Sequence, residues 1–190
     1  MPIKPLKAGM LNKQASSRRC RPEEILKALD IGPGYRIADI GAGGGYFTLR
    51  FAEAVGKNGL VYAVDTRQDF LAAIDLNARA KGLCNIRTLL VSGEPSLPEK
   101  IDLIFMRNIY HHLSDRSVYF KTLRPFLRRG GRLAIIEHKP DAGGILSFRR
   151  LFGHSTPKET IISEVTADGY NLMRDYDILP EQNFLLFSPI

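Results

Sequence analysis

Ala38-Asp39-Ile40-Gly41-Ala42-Gly43-Gly44-Gly45-Tyr46-Phe47 is the stretch on which the reading of this chain turns. It completes an apolar run with strand character, Arg36 to Ile40. It then opens a segment with helical periodicity, Tyr46 to Val55. Glycines at such a junction let the backbone turn sharply and approach a ligand closely. Free amides at the helix start favour a negative group. A dinucleotide turn of the G-x-G-x-x-G kind would put its third glycine at position 46, which is tyrosine. The third glycine falls one residue earlier, at Gly45. With Asp39 ahead of Gly41 the pattern is D-x-G-x-G-x-G.

Outward from this turn, strands and helices alternate. Leu60 to Val64, Ile86 to Val91, Ile101 to Met106 and Arg132 to Ile136 read as further strands. Their nearly continuous apolar character suits a parallel sheet buried on both faces. Gln68 to Ala80 is an amphipathic helix with Phe70, Leu71, Ile74 and Ala78 on one side, closed by Lys81-Gly82. A helix is also expected from about Asp115 to Arg128, kinked by Pro125. Upstream, Pro22, Glu23 and Glu24 suit a helix N-terminus, Ile25, Leu26 and Leu29 give its apolar stripe, and Gly32-Pro33-Gly34 ends it. This alternation predicts a doubly wound α/β fold.

The end of the sequence breaks the pattern. Thr156-Pro157-Lys158-Glu159 reads as an N-cap, an N1 proline and a capping-box glutamate before Ile161, Ile162 and Val165. Gly169 closes that helix. Tyr170 to Tyr176 and Asn183 to Phe187 are strand-like, and Asp177 to Gln182 is too short for a helical crossover, so the two should pair antiparallel.

The 190 residues hold one ordinary domain. Composition is 44% hydrophobic and 25% charged, as in globular proteins. The +7 net charge is concentrated early. Residues 1–31 carry Lys4, Lys7, Lys13, Arg18, Arg19, Arg21 and Lys27 against Glu23, Glu24 and Asp30. We therefore divide the chain into a basic, irregular N-terminal arm, residues 1–20, and a single domain, residues 21–190. Such an arm attracts RNA, anionic lipid or an acidic substrate, or is simply solvated. No apolar run spans a bilayer and no signal-like core follows the basic start, so a cytoplasmic location is expected. Cys20 and Cys84 are expected to be buried or inert thiols rather than one disulfide, and no histidine–cysteine spacing predicts a metal site.

Asp65 closes the second strand, where a carboxylate can accept both ribose hydroxyls of an adenosine. Arg67 would suit a 2′-phosphate, but the glycine spacing does not match a dinucleotide site. The D-x-G-x-G-x-G turn resembles motif I of the class I S-adenosylmethionine-dependent methyltransferases. The likeness runs from about Pro22 to Ser188. Val61 to Asp65 resembles the second motif, and Leu97-Pro98 with Ile101 to Phe105 the third and fourth segments. Asn108-Ile109-Tyr110-His111-His112-Leu113 resembles an N-x-x-H-H-L run. Leu127 to Leu133 resembles an L-K-P-G-G-x-L turn, with Arg129 where proline is usual. Within that family the chain resembles small bacterial or archaeal methyltransferases of the methyltransferase-11 or ubiquinone/menaquinone-biosynthesis type.

This resemblance implies a Rossmann-like three-layer α/β/α sandwich with a seven-stranded, mostly parallel sheet and an antiparallel last strand. It implies S-adenosylmethionine as cofactor. Gly41, Gly43 and Gly45 would border its methionine part, Asp39 would hold the amino group, Asp65 the ribose and Glu94 the adenine. Asn108 would lie near the sulfur. His111, His112 and Tyr110 are the candidate catalytic residues, with His138 behind them. The acceptor is expected to be a small molecule. An RNA methyltransferase using the basic arm, or a non-catalytic cofactor-binding protein, are the alternatives. A lid over the acceptor is expected from Asp141 to Ser155 together with residues 1–20.

Overall fold

A computed structural model describes residues 6–93, 96–140 and 155–190. Seven strands form one sheet: β1 Arg36–Ile40, β2 Leu60–Asp65, β3 Ile86–Leu90, β4 Ile101–Arg107, β5 Leu127–His138, β6 Tyr170–Tyr176 and β7 Gln182–Pro189. Their spatial order is β3-β2-β1-β4-β5-β7-β6. The first five are mutually parallel, and β7 runs antiparallel to both β5 and β6. Among the described residues six α-helices accompany them: α1 Leu6–Ala15, α2 Pro22–Leu29, α3 Tyr46–Val55, α4 Gln68–Ala80, α5 Arg116–Leu123 and α6 Lys158–Ala167. No helix among the described residues is long and apolar enough to cross a membrane.

The alternation of side chains along the strands builds two cores, one on each face. Ile37, Leu103, Phe105, Ala134 and Phe184 meet α2, α3 and α4 on the first face. Ala38, Ile104, Met106, Leu133 and Leu185 meet α5 and α6 on the second. Both faces are therefore apolar, which is why the central strands read as unbroken hydrophobic runs. On the first face the rings of Phe47, Phe51 and Phe105 pack with centroids 5.0 to 5.9 Å apart.

Three local expectations are corrected. α5 stops at Leu123, and Arg124–Phe126 forms one 3-10 turn containing Pro125. A proline lacks the N–H that would continue the helix, so the chain tightens rather than kinks. β5 starts earlier than read, at Leu127, and the glycine pair at Gly130 and Gly131 makes a register shift against β4 instead of a turn before the strand. α6 begins one residue late, with Pro157 at the N-cap position.

A fourth correction changes the picture of the site. Residues 6–15 of the supposedly irregular arm are the helix α1. It lies across the glycine turn at the head of α3. Ala8 and Ala15 are 6% exposed, and Asn12 Nδ2 donates to Gly44 O at 2.8 Å. A Cβ on Gly44 would overlap Ala8 O and Asn12 Oδ1, so close approach of two backbones requires glycine there. Gly44→Ala should therefore cost about 1–3 kcal/mol, felt mainly as detachment of α1. Hydrogen exchange should show protection lost across residues 6–15 with the strands unaffected. Unchanged protection would mean that α1 does not depend on this contact.

Candidate active site

The turns that leave β1, β2 and β4 at their C-terminal ends surround a cleft of about 590 Å³. This is where open α/β sheets take ligands. The first wall is the glycine turn. Gly41, Gly43 and Gly45 have φ of 73°, 54° and 82°, a region that side-chain-bearing residues rarely enter. The amides of Gly41 and Ala42 both donate to Val64 O, at 2.8 and 3.1 Å, which fastens the turn to the end of β2.

Asp65 ends β2 and receives the next amide: Gly43 N–H donates to Oδ2 at 2.8 Å and Arg67 N–H to Oδ1 at 3.0 Å. Each carboxylate oxygen accepts more than one bond, so both retain capacity toward the cleft. Arg67 turns its guanidinium to Asp69 and over the Phe70 ring, 4.2 Å from its centroid.

Asp39 lies at the floor, 3% exposed, and accepts from Thr48 Oγ1 at 2.5 Å. Burial pushes its carboxyl up from 3.8 to about 7; the Thr48 hydroxyl opposes the rise and the Asp65 charge adds to it. An acid in this state is stabilised as the carboxylate by an approaching cation.

The end of β4 supplies the opposite wall. Arg107 and Asn108 line the cleft. Asn108 has φ 57° and donates its backbone N–H to Ile136 O at 2.8 Å. Gln182, at the start of β7, joins both side chains: it accepts from Arg107 Nη2 at 3.2 Å and donates to Asn108 Oδ1 at 2.6 Å. Arg107 also reaches Cys20 Sγ at 3.1 Å, and Cys20 and Cys84 are unbridged.

The 3-10 turn that follows separates the three catalytic candidates. His112 lines the cleft. His111 is turned to β5, with Nδ1 3.0 Å from Glu137 Oε2. That fully buried carboxylate also accepts the His111 and His138 backbone N–H groups. The ring centroids of His111 and His112 are 4.1 Å apart. Tyr110 points into the second core, fully buried against Phe120, and its hydroxyl donates to Glu164. Burial and that carboxylate raise its phenol far above the ordinary range. Tyr110 is therefore packed away from the cleft and is set aside as a proton-transfer group. His138 is also buried.

Gly93 borders the cleft, while Glu94 lies outside the described residues, as does the expected lid from 141 to 154. From the other segment expected to cover the acceptor, α1 contributes Leu11, Asn12, Gln14 and Ala15 to the cleft lining. Sequence reading missed these side chains, and also Thr48, Glu137 and Gln182. For α1 a signal existed. Ala8, Leu11, Asn12 and Ala15 recur at helical spacing, but two alanines and an asparagine make a faint stripe. Gln182 carries no local signal, because its partners are over seventy residues away in sequence.

A family model described as a methyltransferase domain matches residues 31–175. The uncharacterised methyltransferase YcgJ of Bacillus subtilis is 27% identical over 148 residues, which cover 74% of this chain and 57% of YcgJ. The ubiquinone/menaquinone biosynthesis C-methyltransferase UbiE of Shewanella frigidimarina is 24% identical over 157 residues, covering 81% of this chain and 54% of UbiE. The chain thus spans little more than half the length of these relatives. Among solved structures, an S-adenosylmethionine-dependent methyltransferase from Aquifex aeolicus superposes with a TM-score of 0.85 over all of both chains at 21% identity. With the family match over most of its length, the chain belongs to the methyltransferase-domain family, and its fold is that of the Aquifex aeolicus enzyme.

Proposed function

We propose that the protein transfers a methyl group from S-adenosylmethionine to a small-molecule acceptor. The observation that carries this reading is the pair of carboxylates, Asp39 and Asp65, that face one cleft across a glycine turn whose Gly43 amide is bonded to Asp65. The donor set suits the cofactor. Asp65 keeps acceptor capacity for two ribose hydroxyls, and Asp39, buried and raised to about 7, suits an ammonium. Glu94, after β3, is our choice for the adenine side, and Asn108 for the neighbourhood of the sulfur.

When bound, S-adenosylmethionine supplies a methyl group already activated by its sulfonium. This chain's part is alignment and exclusion of water. The glycine turn holds one side of the ligand, the β4 end the other, and α1 covers both. Such positioning contributes roughly 7–11 kcal/mol to barrier reduction in favourable systems. A base is required only if the acceptor must lose a proton. His112, whose residue lines the cleft, is our candidate for that base, and Glu137 fixes the ring of His111 behind it. The name of the UbiE relative, a quinone-biosynthesis C-methyltransferase, favours a small apolar acceptor. Exposed Lys7, Lys13, Arg18 and Arg19 keep an RNA acceptor as the second reading, whose mark would be RNA binding that weakens steeply with salt.

Calorimetric titration with S-adenosylmethionine, with NADH as control, tests the reading. Saturable binding to the first alone is expected, and Asp65→Ala should weaken it by roughly 100-fold, as loss of bonds to a charged group does. Binding to NADH, or equal binding by the variant, would refute it.

Asp39 makes the site pH-dependent with a definite sign. In the folded apo-protein its pKa is about 7, against 3.8 ordinarily. Between these values the native state holds a proton that the unfolded chain has lost. Its contribution to stability is thus fully present below about pH 4 and lost as pH rises through about 7. A cationic ligand favours the ionised form, so affinity should climb as pH rises toward 7, with proton release on binding below it. Titrations in buffers of different ionisation enthalpy would detect that proton. Asp39→Asn should abolish both the release and the slope, and a slope that survives would assign it elsewhere.

A further inference from the structure

Gln182 is 4% exposed and sits between two cleft residues, with Arg107 on its oxygen and Asn108 on its nitrogen. The polarity of this chain of bonds is set at one end. A guanidinium has donors only, so Gln182 must turn its oxygen to Arg107 and its NH2 to Asn108. Asn108 must then turn its own oxygen to Gln182. Its NH2 is left on the other side. Asn108 is half-buried and lines the cleft. With Oδ1 committed to Gln182, the NH2 is the polar end of this side chain left to meet a ligand there.

The backbone supports the same arrangement. Asn108 lies in the left-handed region, which asparagine enters more readily than most residues, and its backbone N–H is fixed on Ile136 O. Gln182 pairs with His138 in the β5–β7 ladder, so its side chain starts from a fixed point.

We propose that Gln182 is a positioning residue that sets Asn108 as a hydrogen-bond donor toward the cleft. The ligand atom received there is then a lone-pair-bearing oxygen, or the uncharged thioether sulfur left after methyl transfer, and neither an amine N–H nor the sulfonium itself. An amide turned the other way would present an acceptor and select the opposite class. The inference rests on the cofactor reading above, which places Asn108 near the ligand.

The test uses S-adenosylhomocysteine, whose sulfur carries no charge, titrated into wild type, Gln182→Ala, Gln182→Glu and Asp65→Ala, with melting temperatures recorded. Gln182→Glu is nearly isosteric, keeps the acceptor for Arg107 and loses the donor for Asn108. Both glutamine variants should bind roughly tenfold more weakly than wild type, well below their melting points. If Gln182→Glu binds like wild type while Gln182→Ala does not, the Asn108 orientation is not set from Gln182 and the proposal is wrong. If both bind like wild type and only the melting temperature falls, Gln182 is merely structural and the proposal again fails, with the cofactor reading intact. Undiminished binding by Asp65→Ala, or none by wild type, removes the cofactor reading and the proposal with it.

Discussion

The bond from the Gly43 amide to the Asp65 carboxylate is the tie on which the site depends. It joins the turn after β1 to the end of β2, and both strands lie in the middle of the sheet. With the Gly41 and Ala42 amides fixed on Val64 O, the turn has its donors committed before any ligand arrives. A preformed turn spares the binding step the entropy of ordering a glycine-rich loop. The same tie keeps one carboxylate close to Asp39, whose own burial then makes the pocket floor responsive to charge.

Support for this centre comes from distant parts of the chain. α1 covers the turn from the N-terminal side through Asn12 and Gly44. Gln182 reaches the β4 end from the C-terminal hairpin. Glu137 braces the histidine turn from β5, accepting the ring and backbone of His111. A buried carboxylate is tolerable only when its lone pairs are satisfied, and here three N–H groups do so. Cleft residues with no secondary structure of their own are thereby held by side chains on regular elements.

Legibility in the sequence followed the range of the interactions. β1 and its glycine turn were read to the residue, because steric rules at a strand–turn–helix junction act between neighbours. The antiparallel hairpin was legible from a connection too short for a crossover. The spacing that identified the histidine run could not say which way each ring points. A 3-10 turn sends Tyr110, His111 and His112 in three directions, and packing against Phe120 and Glu137 decides which. α1 was missed because its buried face is made of small residues, whose fit to a glycine turn is a matter of shape rather than hydrophobicity. Gln182 was invisible for want of any local pattern.

The placement of β7 has a consequence for the order of assembly. It follows every other strand in the sequence, yet in the sheet it lies between β5 and β6. During synthesis β5 must wait with an open edge, and β6 has no neighbour in the sheet until β7 emerges. An open edge of this kind invites pairing with another chain. A ribosome that stalls before residue 182 would leave a gap in the interior of the sheet, not a shortened rim.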